Sequence, residues 1–143
     1  MPTPRSDKGK ALNGQGKNDE AIRACDEAIQ LDPKDSEAWN NKGMALDNQG
    51  KYAEAIKAYD EAIRIDPNFA EAWSNKGTAL YNQRKYTEAI EAYNNAIEAD
   101  DESIRLDNNN TKALNAKGLA LEARGRTAEA DAALAKAKEL EGN

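Results

Sequence analysis

A spacing of 34 residues constrains this chain more than any other feature. Trp39 and Trp73 stand 34 apart and open two copies of one pattern. Gly9, Gly43, Gly77 and Gly118 each follow a lysine, at intervals of 34, 34 and 41. Ala21, Ala55, Ala89 and Ala130 repeat the same three intervals. A fixed period of this length marks an array whose units bury their apolar faces against their neighbours. The 143-residue chain is rich in alanine and has a single phenylalanine, Phe69. That composition favours a thin, two-layer array over a thick globular core.

Within one unit the periodicity is helical. Trp39, Lys42, Gly43 and Leu46 fall at i, i+3, i+4, i+7, one face of a helix. Tyr52, Ala55, Ile56, Tyr59, Ala62 and Ile63 form a second such face, and Asn48-Gln49-Gly50-Lys51 is the turn between them. Asp66-Pro67-Asn68 closes the second helix, because the residue before proline is pushed out of the helical region. Asn68 with Glu71 reads as the next helix start. The units at Ser36 and Ala70 are the most regular. In the first unit Pro2 and Pro4 keep the chain extended, so its opening helix is expected from about Ser6 to Gly14, followed by Lys17 to Leu31.

The pattern Trp39, Lys42-Gly43, Leu46, Gly50, Tyr52, Ala55, Tyr59, Ala62, Pro67 resembles the tetratricopeptide repeat (TPR) over nearly the whole chain. The resemblance implies an all-α, right-handed solenoid of antiparallel helix–turn–helix repeats. One domain over 1–143 is expected, with repeats at about 2–35, 36–69, 70–110 and 111–143. The lysine before each glycine departs from the family, and it is read as a side chain whose stem packs and whose amine reaches water. Gly43 and Gly77 lie mid-helix, where glycine costs about 1 kcal/mol relative to alanine. Ala55 and Ala89 are their expected partners across a close helix crossing. The tryptophan rings are expected to be buried between helix pairs. Gly16, Gly50 and Gly125 end first helices, and Arg84 replaces the glycine in the third unit. Cys25 takes the position of Tyr59 and Tyr93 and reads as a buried, inert thiol.

The third unit breaks the period. Residues DESIRLDNN align with DEAIRIDPN at Asp60 to Asn68, so about seven residues, Asn94 to Asp100, duplicate a heptad. No glycine or proline occurs from Lys85 to Asn110, so the helix can run on. The extra length suggests association of two copies through Asn94 to Leu114. The last unit starts near Thr111. Its second helix carries Asp131 and Lys138 where earlier units carry isoleucine, which is the polar outer face of a capping unit.

Chemistry is sparse. The chain has no histidine and one cysteine, so a histidine base and a CxxC pair are absent. Gly14-Gln15-Gly16-Lys17 lacks the preceding strand and following hydroxyl of a phosphate loop. Asp100, Asp101, Glu102 and Asp107 are acidic, but Lys112 replaces the glycine that a calcium loop of this kind requires. Glu54, Glu61 and Glu88 lie among lysines as surface charge. No metal or cofactor is expected, and the reading is of a non-enzyme. The net charge of −6, without a basic stripe, opposes nucleic acid. No apolar run suggests a signal peptide or a membrane span. The expected location is therefore cytoplasmic, and Asn109-Asn110-Thr111 is an accidental glycosylation match.

What remains is the face that the first helix of each pair lines in the resembled family. Carried over, the concave face holds Lys10 and Asn13, then Glu37, Asn40, Met44, Asp47 and Asn48. It continues with Glu71, Ser74, Thr78, Tyr81 and Asn82, then Lys112, Asn115, Leu119 and Glu122. Its amides can pair with a peptide backbone through donor and acceptor alike. Some family members clamp a C-terminal carboxylate. Here Lys10 and Lys112 are separated by two intervening units, which argues against a clamp. The expected function is capture of an extended peptide or partner protein. The alternative is a self-assembling structural module.

Overall fold

The computed structural model describes residues 4–99, 108–123 and 125–141. Among them are eight α-helices and no strand. They fall into two compact units, Met1–Pro67 and Asn68–Asn143. The first holds α1 (Pro4–Gly14), α2 (Asn18–Leu31), α3 (Ser36–Asn48) and α4 (Tyr52–Ile65). The second holds α5 (Ala70–Asn82), α6 (Tyr86–Ala99), α7 (Asn108–Ala123) and α8 (Thr127–Glu141).

In the first unit α1 pairs with α2 and α3 with α4, and α3 also packs on α1 and α2. In the second unit α5 pairs with α6 and α7 with α8, and α7 packs on α5 and α6. One turn geometry joins every pair. Lys17, Lys51, Lys85 and Arg126 each donate their backbone N–H to the carbonyl five residues earlier, all at 2.9 Å. The residue before each donor has positive φ: Gly16 and Gly50 at 76°, Gly125 at 79°, and Arg84 at 62°. That left-handed closure satisfies a carbonyl at the helix end. Arg84 adopts it without the freedom of glycine.

The glycines before these turns meet a second partner besides the alanine that the sequence suggested; a Cβ on Gly9 would lie 3.5 Å from the Ala21 carbonyl oxygen, and one on Gly118 3.4 Å from that of Ala130. A Cβ on Gly43 would lie 2.6 Å from Cδ1 of Tyr59, and one on Gly77 equally close to Cδ1 of Tyr93. On Gly9 it would meet Cys25 Sγ at 2.5 Å, and on Gly118 Leu134 Cγ at 2.6 Å. The second partner is therefore the residue sixteen positions on. A side chain of the second helix occupies the space a Cβ would take, so one helix packs closely on the next. Ala55, Ala62, Ala89 and Ala96 are buried on the same helices as these rings.

Other expectations need adjustment. α1 begins at Pro4, not Ser6, because proline suits the first helical turn, whose N–H is unpaired anyway. α5 starts behind Phe69, which has no side chain able to cap. The equivalent Asp35 accepts the backbone N–H of Ala38 at 3.1 Å. Trp39 and Trp73 are half-buried rather than enclosed. Trp39 Nε1 donates to the Pro33 carbonyl at 3.2 Å. The Lys42 amine does not simply reach water: it lies 2.8 Å from Asp26 Oδ1 and 5.6 Å from the Trp39 ring centroid. Lys76 repeats the ring contact over Trp73 at 5.5 Å.

α7 is already helical at Asn108, three residues before the expected start. Residues 100–107 lie outside the described residues. The expected helix run-on past Ala99, and the middle of the segment proposed for self-association, fall there. On α8, Asp131 and Lys138 are exposed while Ala130, Ala133 and Ala137 are buried.

Candidate functional site

In the first unit the candidate face is formed by α1 and α3. Periodicity places its residues, but the structure distributes them between packing and solvent. Asn40 is only 2% exposed, and its amide lies 3.9 Å from Met44 Sδ. Asn13 is buried too, donating to the Asn41 carbonyl at 2.8 Å, and its own Oδ1 has no partner. The Asn13 amide joins α1 to α3, and the Asn40 contact stays within α3. Asn48 is exposed and donates to Asn18 Oδ1 at 3.1 Å, tying α3 to the start of α2. Lys10 is exposed, and Glu37 and Met44 are half-buried.

Asp47 is the most constrained group on this face. Tyr59, fully buried, donates its hydroxyl to Asp47 Oδ2 at 2.6 Å. Asp47 Oδ1 is enclosed without a hydrogen-bond partner. Burial pushes the carboxyl from 3.8 up to about 6, against the Tyr59 hydrogen bond, which lowers it. Nothing in the sequence announced this pair, since twelve residues separate its members and they belong to different helices.

In the second unit the face is formed by α5 and α7. Glu71, Ser74 and Tyr81 are half-buried, and Thr78 and Asn82 are exposed. Tyr93 repeats Tyr59, and its hydroxyl lies 3.0 Å from Thr78 Oγ1. Thr78 Oγ1 also donates to the Ser74 carbonyl at 3.2 Å. The Tyr81 and Tyr86 rings meet edge to face at 5.3 Å. Asn115 turns toward Glu141 Oε1 at 3.4 Å, while Leu119 and Glu122 are exposed. The Lys112 side chain lies outside the described residues.

A groove of about 770 Å³ opens elsewhere in the first unit, between α2 and α4 above α3. Ile22, Trp39, Leu46 and Ala58 give it an apolar floor, under a rim that includes Lys51, Glu54 and Lys57. The sequence reading did not single it out, because its floor combines residues from three helices. Among the described residues no group of carboxylates or sulfur could hold a metal, and no helix is long and apolar enough to cross a membrane. Cys25 is fully buried, and burial pushes its thiol up to about 12. It is not a ready nucleophile.

Among solved structures, the first TPR of Spaghetti (RPAP3), bound to an HSP90 peptide SRMEEVD, is 26% identical with a TM-score of 0.75. The match covers 85% of this chain and 90% of that one. The Sgt2 TPR domain from Aspergillus fumigatus is 27% identical, covering 90% and 86%, with a TM-score of 0.73. MamA from Desulfovibrio magneticus RS-1 shares the fold at 23% identity, covering 99% and 76%, with a TM-score of 0.81. No curated protein matches the chain. Family models described as tetratricopeptide repeat match residues 6–68, 70–103 and 111–143. Those three spans follow the helix pairs set out above to within a few residues, and the chain belongs to the tetratricopeptide repeat family of protein-interaction modules.

Proposed function

We propose that this chain captures an extended segment of a partner protein on the faces formed by the first helices of its repeats. The observation that carries the reading is the match to the Spaghetti TPR, a peptide-bound structure covered over 90% of its length. The candidate faces support it. Met44 and Tyr81 offer partly exposed apolar surface, and Thr78, Asn82 and Asn48 offer hydrogen-bonding groups in solvent. Each unit presents such a face of its own. An extended peptide leaves its backbone donors and acceptors open, and side-chain amides and hydroxyls can serve both.

The charge of the face argues for a different ligand from that of the neighbour. SRMEEVD is acidic, whereas Glu37 and Asp47 stand on α3 and the whole chain carries −6. Like charges set against each other disfavour such a peptide. To test the reading, a random displayed peptide library is selected on the protein. The winners are then bound to variants carrying a photo-reactive residue at Thr78 or at Lys57. Cross-links from Thr78 on α5 and none from Lys57 on α4 are expected. Failure to select any peptide, or cross-links confined to α4, overturns the proposal.

A further inference from the structure

Asp47 is a charge that the fold does not use. Its Oδ2 takes the hydroxyl of Tyr59, and its Oδ1 is left enclosed and unpartnered. Among the described residues no lysine or arginine pairs with it, and Lys42 on the same helix is engaged by Asp26. In the second unit the tyrosine at this position meets a neutral hydroxyl. Tyr93 is equally buried beside a glycine, and the neutral Thr78 meets its hydroxyl. The residue 34 positions before Asp47 is Asn13, and the one 34 after it is Tyr81. Neutral side chains therefore fill the same register in the first and third repeats, while the fourth carries Glu122.

An anion at such a position carries a penalty, because a partly buried carboxylate loses hydration that no cation replaces. The raised pKa of Asp47 expresses that penalty. Groups held this way concentrate where a protein binds something. Asp47 retains part of its surface in solvent and shares its helix with the half-buried Glu37.

We propose that Asp47 is the specificity residue of the α1–α3 face, pairing with a lysine or arginine of the captured peptide. The inference rests on the concave-face reading above and adds the chemistry of the partner. Tyr59 holds the carboxylate from behind, so its orientation is set before the ligand arrives. The arriving ammonium or guanidinium supplies the charge that the protein withholds, and an acidic side chain in its place is rejected.

The experiment pans a positional-scanning peptide library on the wild-type protein, on Asp47→Asn and on Met44→Arg. Asparagine keeps an acceptor for the Tyr59 hydroxyl, so the variant stays folded, which thermal unfolding checks. The wild type is expected to enrich lysine or arginine at one fixed position. Asp47→Asn should bind those peptides about tenfold more weakly or worse. It should lose that preference, yet bind versions with glutamine at that position as well as the wild type does. Retention of the lysine and arginine preference by Asp47→Asn overturns the inference, as does enrichment of acidic peptides by the wild type. A library that binds Met44→Arg as well as wild type shows that the α1–α3 face does not take the peptide, which overturns the inference and leaves the α5–α7 face to the cross-linking test.

Discussion

Asp47→Asn should make the protein more stable at neutral pH. The carboxyl rises from 3.8 to about 6 on folding, and each unit is worth 1.36 kcal/mol. Unscreened, the penalty above pH 6 is therefore roughly 3 kcal/mol. Asp47 is only part-buried, so solvent screening reduces this to roughly 1–1.5 kcal/mol. The sign follows from linkage. Between about pH 4 and pH 6 the folded carboxyl holds a proton that the unfolded one has released, so wild-type stability falls as pH rises through that window. Above it the loss is complete and constant. Asparagine has no such dependence. Urea unfolding of both proteins at about pH 7 and about pH 4 isolates the effect, because packing changes common to both conditions cancel in the difference. The variant's advantage should be larger at the higher pH by roughly 1 kcal/mol. An advantage equal at both pH values, or larger at the lower one, would refute the argument that burial penalises this charge.

Arg84→Gly should stabilise the second unit by about 1 kcal/mol, since Arg84 holds φ 62° where a side chain is strained; an unchanged denaturation midpoint refutes this. Gly9→Ala should destabilise by roughly 1–3 kcal/mol, because the added methyl meets Cys25 Sγ at 2.5 Å. Combining it with Cys25→Ala removes that clash and should recover part of the loss; strict additivity of the two changes in unfolding free energy would show that the sulfur is not the obstacle. Asp131→Ile with Lys138→Ile places apolar surface on the exposed side of α8 and should raise the mass in light scattering as concentration increases. A mass that stays constant across the concentration range removes the capping role of that helix.

The fold was legible because its determinants are local or periodic. A 34-residue interval and helical spacing within it placed α2 to α5 nearly to the residue. The left-handed turns were legible as Gly16, Gly50 and Gly125, and the exception at Arg84 was visible as a break in that series. One contact of each glycine went unread, although the signal was present. Gly9 to Cys25, Gly43 to Tyr59, Gly77 to Tyr93 and Gly118 to Leu134 are all sixteen apart. Matching small residue to small residue hid it, because close helix approach can equally be made by a larger side chain in the space a Cβ would take.

The candidate face was legible only as a set of positions. Periodicity says which way a Cα faces, but a side chain spends itself on whichever partner lies within reach. Asn40 and Asn13 were taken up in packing, and Asn48 and Asn115 turned toward neighbouring helices. Asp47 and Thr78 differ in a way that no helical wheel contains. Each meets a tyrosine of the following helix, but one contact puts a charge beside the ring hydroxyl and the other a neutral group. Two repeats with the same backbone can therefore offer chemically different faces. In this chain that difference rests on which residue accepts the buried hydroxyl.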